Sequence, residues 1–429
     1  MSFIHRLILL AALLNGSSVF AETVLPEKLS FDQAMKIVDQ GKYYDVLLAQ
    51  ADAESVMSDL LKINGQNGFK IDMVALAQYV EASEVVAQSS NEDHKLSVLM
   101  TKNLLDSGYS DKKEQSAETK LKSIRLLMQQ IRLKKRIEVA EKFFAIKLSD
   151  MKFALDNEAI STAYVKFHKT QERNSLKQSS DVDLLDAQFE YQKVRARRYE
   201  SETMQRISRA RFSESIARPN DLPVDVIVPD LSFLKRKRPE YEDLVKLALS
   251  NNLQLQAQKL QVESAVHELA ASKKAGGSTL TSELEWAEYT YETPSRNNWR
   301  AAIKFTMPLY ENDAVKSLRA SALSNLQRQR IKLRQTEAEI RQQVLENWQR
   351  IYVLNAHQDT DAVAEEYREL YQDRSRAFYE MEFRTDLGDS FVRVSEARFE
   401  KFKNNFELFV TWMKLAMLTG TTLEEYIQQ

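Results

Sequence analysis

Four segments of the chain alternate between apolar and polar residues, as strands with two different faces do. In the first segment Phe69, Ile71 and Met73 alternate with Lys70 and Asp72. Strands with one apolar and one charged face are typical of outer-membrane proteins, but half-buried sheets of soluble proteins alternate in the same way. The predicted strands cover about residues 69–80, 96–104, 279–289 and 299–307.

Much longer segments have a helical period and lack the residues that break helices. Neither Gly nor Pro occurs in Tyr109–Arg218 or in Leu309–Leu387. Apolar residues such as Ile124, Leu127 and Ile131 recur at intervals of three and four, which indicates coiled coils. A helix of about 65 residues reaches about 100 Å, which suits a conduit or a spacer. The predicted long helices cover about residues 111–173, 182–217, 313–382 and 386–418.

These elements form two copies of one unit. Short helical patterns begin near Phe31 and again near Tyr241, about 210 residues later, and each precedes two strands and two long helices. Prolines are concentrated between the copies, at 219–239. The spacing predicts a duplicated domain rather than a short-period solenoid. The predicted divisions are a signal peptide at 1–21, a first repeat at 22–218, a linker at 219–238, a second repeat at 239–420 and a tail at 421–429.

The N-terminal residues have the pattern of an export signal. Arg6 supplies the positive charge, Leu7–Leu14 supplies the apolar run, and Val19 and Ala21 supply small residues at the −3 and −1 positions for cleavage before Glu22. A membrane anchor would need about 20 apolar residues. The chain contains no cysteine, which excludes disulfides and a lipid-modified Cys. We therefore expect a bacterial envelope protein.

Charge and motifs argue against nucleic-acid binding and against catalysis. The net charge is −2, whereas nucleic-acid-binding proteins have a basic excess. The five histidines are scattered, and we find no metal-ligand spacing, phosphate-binding Gly loop or nucleophilic Ser motif. Carboxylates on long helices most often form a solvated face. We therefore expect no enzyme, no cofactor and no metal site.

Four strands leave a sheet with two open edges, whose backbone groups would find no hydrogen-bond partner in lipid. Bacterial barrels use at least about eight strands. If the strands span a membrane, several copies must pool them. These elements together predict a fold class that is mainly α with a small β part. Each repeat is a unit of long coiled-coil helices plus a β-hairpin. The strands pooled between copies are predicted to form an outer-membrane β-barrel that continues into a periplasmic α-helical barrel.

The whole mature chain resembles the TolC-type outer-membrane factors, the outer membrane efflux protein family. The resemblance rests on the order of the segments and on short motifs at the first helix, at two strand-to-helix junctions and at the start of the second long helix. These motifs are Leu29–Val38, Leu104–Gly108, Met307–Tyr310 and Asp183–Gln188.

The resemblance implies a homotrimer in the cell outer membrane that extends into the periplasm. It also implies that this homotrimer is the exit duct of a tripartite efflux or type I secretion system. Such a duct is passive, and its partners are a periplasmic adaptor (a membrane fusion protein), an inner-membrane transporter and outer-membrane lipid. In the family, the helical tunnel is closed at its tip.

The resemblance also implies a latch at that tip. In the family, a Tyr five positions before an Arg-Thr pair bonds an Asp on the other helical hairpin. Tyr379 and Arg384-Thr385 have that spacing, and Asp183 is the candidate partner. In the alternative interpretation Tyr379 packs within the coiled coil and Arg384 is solvated.

A second feature of the family's tip is a ring of Asp residues, where like charges favour cations. The corresponding positions, counted from Arg384, are Gly388 and Phe391 in this chain. Asp386 and Asp389 lie close by and are the candidates for an acidic ring.

The alternative function is a periplasmic coiled-coil adaptor or spacer protein without a membrane barrel. Adaptors need small β-domains with many turns, and nine glycines in 429 residues supply few of them. A spacer would not need duplicated strands with an apolar face.

Overall fold

A computed structural model describes residues 25–41, 43–80, 91–231, 234, 238–290, 296–310, 313–381 and 387–421. The predicted signal peptide and nearly all of the predicted C-terminal tail lie outside these residues. Arg384, Thr385 and Asp386 of the predicted tip also lie outside them.

The described residues form an ordered series of strands and helices that occurs twice. Each copy has a short strand, two helices, two longer strands and two long helices. The first copy contains β1 (Lys28–Ser30), α1 (Phe31–Gln40), α2 (Tyr44–Asn67), β2 (Phe69–Tyr79), β3 (Glu92–Leu105), α3 (Tyr109–Ser175) and α4 (Asp181–Ser215). The second contains β4 (Asp225–Ile227), α5 (Tyr241–Asn251), α6 (Leu253–Lys274), β5 (Thr279–Tyr289), β6 (Trp299–Thr306), α7 (Ala314–Glu380) and α8 (Leu387–Thr419). The predicted mainly helical, duplicated fold is confirmed.

One strand begins earlier than the pattern of apolar residues indicated. The predicted start was about residue 96, whereas β3 begins at Glu92 and pairs with β2 up to Tyr79. Residues 92–95 are all polar, so they do not alternate with apolar residues. Asp93 instead forms an ion pair with Arg296, and the backbone pairing of β3 with β2 continues to Glu92.

The chain divides into two compact units, and each unit combines parts of both repeats. Unit 1 contains Met1–Gly41, Glu138–Asp230 and Val363–Lys403. Its β1 and β4 pair in parallel. Ser30 caps α1, because its hydroxyl accepts from the backbone N–H of Gln33 while the Gln33 side chain accepts from the N–H of Ser30.

An aromatic cluster lies in the core of unit 1. The rings of Phe143 and Phe144 are fully buried, and the ring of Phe31 lies 5.5 Å from each of them. Phe212 of α4 packs edge-on against Phe143 at 6.0 Å. Because aromatic rings bury large apolar areas, this cluster fixes α1, α3 and α4 together.

Unit 2 contains Lys42–Ile137, Leu231–Ala362 and Asn404–Gln429. Its antiparallel sheet has the strand order β2-β3-β5-β6. The two repeats therefore meet where β3 pairs with β5. No described helix has an apolar stretch of the length and hydropathy that crossing a bilayer requires.

Asn252 joins three helices of unit 2. It is almost fully buried between α5 and α6, and its Oδ1 accepts from the backbone N–H of Leu255, which caps α6. Its Nδ2 donates to the carbonyl of Leu418 at the end of α8, at 3.1 Å. One amide side chain therefore supplies hydrogen bonds to a backbone N–H at the start of α6 and to a backbone carbonyl at the end of α8.

We predict that Asn252→Ala lowers the free energy of unfolding by about 1–2 kcal/mol, because it removes a cap and leaves a buried carbonyl unpaired. Denaturant unfolding followed by far-ultraviolet circular dichroism measures the change. Asn64→Ala, at an exposed position of α2, is the control and should not destabilise the protein. Equal stability of the two variants would contradict the assigned role.

Candidate functional site: the sheet of unit 2 and the helical turns of unit 1

One face of the four-stranded sheet is mostly apolar and largely exposed, with Lys102 and Glu288 among its few charged residues. The register places Ile71 opposite Met100 and Met73 opposite Val98, and the same face continues through β5 to β6. Met73 is 74% exposed and Ile303 is 73% exposed. The other large residues that share this face are Phe69, Tyr79, Leu96, Leu284, Trp286, Trp299 and Phe305.

The opposite face of the sheet is charged, and its central residues are buried. Glu285 is 8% exposed and accepts from Lys95 at 2.5 Å and from the Arg300 Nε at 3.0 Å. Arg300 also reaches Glu283 at 3.4 Å. These ion pairs cross from β3 to β5 and from β5 to β6. The Lys95–Glu285 pair therefore ties the two repeats together through charge.

A second ion pair lies at the end of the same charged face. Asp93 is 6% exposed, and both of its oxygens accept from the guanidinium of Arg296, at 2.6 and 2.7 Å. Gln78 donates to the same carboxylate at 3.0 Å. The bidentate geometry is the strongest arrangement of a guanidinium and a carboxylate. It fixes residue 296, which precedes β6, against the start of β3.

The two edges of this sheet are β2 and β6. Within the described residues, neither strand has a second partner beyond β3 and β5 respectively. Both edge strands carry large exposed apolar side chains on one face. Unpaired backbone groups at such edges can form hydrogen bonds with strands of another chain.

The turn between α3 and α4 in unit 1 contains the predicted latch residue Asp183. Ser180 caps α4, and the Asp183 carboxylate accepts from the backbone N–H of Ser180 at 3.0 Å and from its hydroxyl at 2.8 Å. These hydrogen bonds, with a smaller contribution from the charge of Arg173, lower the pKa of Asp183. Asp183 therefore stabilises the start of α4 as a carboxylate.

Residues that follow Asp183 pack against α3. Ala187 is buried, and the ring of Tyr191 stacks on Phe167 with centroids 5.7 Å apart and the planes nearly parallel. Tyr164 contacts Tyr191 from one turn earlier, at 5.8 Å. The spacing of Asp183, Ala187 and Tyr191 therefore corresponds to a helix cap followed by two packing positions.

The other predicted tip residues are placed as follows. Tyr379 lies in the last turn of α7 and is about half exposed. The hydrogen bonds that the described residues give to the Asp183 carboxylate come from Ser180 and not from Tyr379. Asp389 is exposed in the first turn of α8. Because Arg384 and Asp386 lie outside the described residues, the latch and the acidic ring stay predictions.

The buried charge contacts of the sheet were not predicted from the sequence. They depend on the β3–β5 register, which joins residues about 190 positions apart. The sequence feature that could have indicated these ion pairs is the opposite charge of two alternating segments, with Lys95 on one strand and Glu283 and Glu285 on another. Within the described part of the chain, no group of three His, Asp or Glu side chains is placed to hold a metal ion.

The fold is similar to solved outer-membrane channels. CusC, which forms a transmembrane channel, matches with a TM-score of 0.73 and 11% identity over 91% of this chain and 92% of that chain. CmeC, an outer membrane channel of Campylobacter jejuni, matches with a TM-score of 0.72 and 11% identity over 93% and 88%. VceC, an outer membrane protein of Vibrio cholerae, matches with a TM-score of 0.69 and 12% identity over 92% and 96%.

No protein-family profile and no curated protein sequence matches the chain. The structural matches nevertheless extend over nearly the whole chain. The protein therefore has the fold of the TolC-type outer-membrane factors, and the predicted resemblance is confirmed at the level of the fold.

The lowered pKa of Asp183 predicts a pH-dependent stability. A carboxyl group with a folded pKa below its ordinary value of about 3.9 stabilises the fold above that pH, and the contribution is lost as the pH falls through the folded pKa. Asp183→Asn should therefore be less stable than the parent near neutral pH, and this difference should shrink in acid. Thermal unfolding midpoints between about pH 7 and pH 3 measure it.

Asp186→Asn is the matched control, because Asp186 lies on the same helix and makes no hydrogen bond to Ser180 in the described structure. A deficit of Asp183→Asn that stays constant down to the lowest pH would contradict the assigned role of the carboxylate.

Proposed function

We propose that the chain is the outer-membrane exit duct of a tripartite efflux or type I secretion system. In this proposal it is a homotrimer in the outer membrane, and its long helices extend into the periplasm. The observation that supports it most directly is the inverted burial of the sheet of unit 2. The fold comparison supports the same class of protein.

The inversion concerns which face of the sheet is covered. In a sheet of a water-soluble domain the apolar face packs on a core and the charged face meets water. Here Met73 and Ile303 are about three-quarters exposed, whereas Asp93 and Glu285 are buried. An apolar face of this size in water would be a large exposed patch. Contact with lipid removes the free-energy cost of exposing apolar side chains to water. The observation therefore favours a membrane-facing sheet over a soluble spacer.

The open edges favour several copies in one assembly. Edge strands in lipid must find backbone partners, because water is absent there. If β2 of one copy pairs with β6 of the next, the sheet closes without an edge. Closed sheets of bacterial outer-membrane proteins contain at least about eight strands, so one chain with four is insufficient. The resemblance to the TolC-type factors favours three copies.

If the closed sheet turns its apolar face towards lipid, its charged face points inward. The Lys95, Glu285 and Arg300 contacts and the Asp93–Arg296 pair would then line an aqueous passage. Because opposite charges are paired along this surface, it offers neither sign a strong preference. We therefore propose a passive passage, driven by an inner-membrane transporter and connected to it by a periplasmic adaptor.

The helical tip is the proposed site of closure. We retain Asp183, Tyr379 and Arg384 as the proposed latch, with Asp386 and Asp389 as proposed members of an acidic ring. The half-exposed Tyr379 is available for a partner. Asp183 is a carboxylate with spare acceptor capacity beyond its two bonds to Ser180.

The test of the duct is conductance. We expect the purified full-length protein to enter a planar bilayer and to give discrete steps of ion current. It should also migrate as a homo-oligomer in detergent and stay with the outer membrane after washing with high salt. A monomer that is soluble without detergent and gives no current would overturn the proposal in favour of a soluble coiled-coil protein.

The latch predicts the effect of two substitutions at the tip. Tyr379→Phe removes a hydroxyl donor and Arg384→Ser removes a cation, so each should raise the single-channel conductance above that of the parent. A single exposed ion pair contributes at most about 1 kcal/mol, so we expect the latch to depend on its repetition in each copy of the proposed homotrimer. Tyr367→Phe, at an exposed position of α7 above the tip, is the matched control. Unchanged conductance in both tip variants would reject the latch and leave the duct proposal intact.

A further inference from the structure

The start of α8 lies unusually close to α3 in unit 1. A Cβ placed on Gly388 would lie 2.8 Å from Oγ1 and 3.1 Å from Cγ2 of Thr162. Carbon atoms of side chains do not approach other atoms to 2.8 Å without a shift of one partner. The φ of Gly388 is not positive, so the backbone conformation alone does not require glycine there. The close approach of the two helices does require it.

Thr162 cannot easily move away from this contact. Its hydroxyl donates to the carbonyl of Glu158 on its own helix at 3.1 Å, which favours the observed orientation of the side chain. Threonine is also stiff at χ1, because two heavy atoms branch from its Cβ. A larger residue at position 388 would therefore displace α8 rather than the threonine.

A second contact joins the same two helices two turns further along α8. The hydroxyl of Ser395 donates to Oε2 of Glu158 at 2.5 Å. Ser395 follows Gly388 by seven residues and so lies on the same face of α8. Gly388 and Ser395 of α8 therefore form a seam with Thr162 and Glu158 of α3, with a small residue at its end.

The seam involves none of the residues of the predicted latch. We therefore propose that Gly388 and Thr162, with Ser395 and Glu158, are positioning residues that hold the tip of α8 against α3 and keep the aperture narrow. This inference rests on the proposed function and deepens it. A steric contact inside one chain would then set the resting aperture, and the latch would act in addition to it.

The decisive variant is Gly388→Ala. Alanine is the better helix former by about 1 kcal/mol, so α8 itself should remain folded. The added methyl group should push α8 away from Thr162, and we expect a several-fold higher single-channel conductance. Ser395→Ala should raise the conductance less, because it removes one exposed hydrogen bond.

Two comparisons distinguish a steric effect from a general one. Gly65→Ala is the matched control, since a Cβ at Gly65 of α2 meets no atom within 4 Å, and it should conduct like the parent. The double variant Gly388→Ala/Thr162→Ala removes the opposing methyl and hydroxyl groups, and it should return the conductance towards the parent value.

A distance measurement tests the seam independently of conductance. The chain has no native cysteine, so a chain with spin labels at Lys166→Cys on α3 and Arg393→Cys on α8, diluted into unlabelled chains, reports the distance within one copy. Gly388→Ala should lengthen the distance between the labels, and Gly65→Ala should not. If the parent gives no current, the duct proposal fails while the label distance still reports on the seam. Equal label distances, or equal conductances of a conducting parent and Gly388→Ala, would overturn the inference.

Discussion

The constraint that governs this protein is the pairing of backbone groups at the edges of its four-stranded sheet. β2 and β6 each have one partner among the described strands, and both carry exposed apolar side chains. In lipid an unpaired edge is costly, because no water is present to replace the missing hydrogen bonds. In the proposed assembly, this requirement accounts for several copies, and contact with lipid accounts for the apolar face. Oligomerisation and membrane insertion thus become a single physical event in the proposed assembly.

The two repeats are joined by polar contacts as well as by the sheet. Beside the β3–β5 pairing, α3 and α6 approach closely where Ser116 and Ser264 each donate a hydroxyl hydrogen bond to the other's backbone carbonyl, at 2.9 and 2.8 Å. Small side chains permit this approach, and their hydroxyl groups find partners although they are buried. The duplicated halves of unit 2 are therefore held at a short helix–helix distance, next to a sheet whose charges also pair across the repeats.

Much of this architecture could be predicted from local sequence. The absence of Gly and Pro within the long segments predicted α3, α4 and α7, the repetition of the unit predicted α8, and alternation predicted most of the four longer strands. Contacts between distant segments could not be predicted, because the Lys95–Glu285 pair depends on a register that no local pattern encodes. At the tip, the motif around Asp183 was visible, but its role as a helix cap depends on Ser180. In the sequence, Gly388 stood out only because it occupies a position where the family has an Asp of the acidic ring. Its close contact with α3 could not be predicted, because that contact depends on where Thr162 lies in the fold.

Helices that meet water cannot rely on apolar burial alone to stay together. Along the lower part of α7 and α8, Arg398 reaches Glu369 at 2.8 Å and Lys401 pairs with Glu365, all of them partly or fully exposed. Such pairs contribute about 0–1 kcal/mol each, so they fix the register of the helices more than their separation. As atoms approach, steric repulsion between them rises much more steeply than the attraction of a solvated ion pair. One methyl group at position 388 should therefore change the helix spacing more than the loss of any one of these charges.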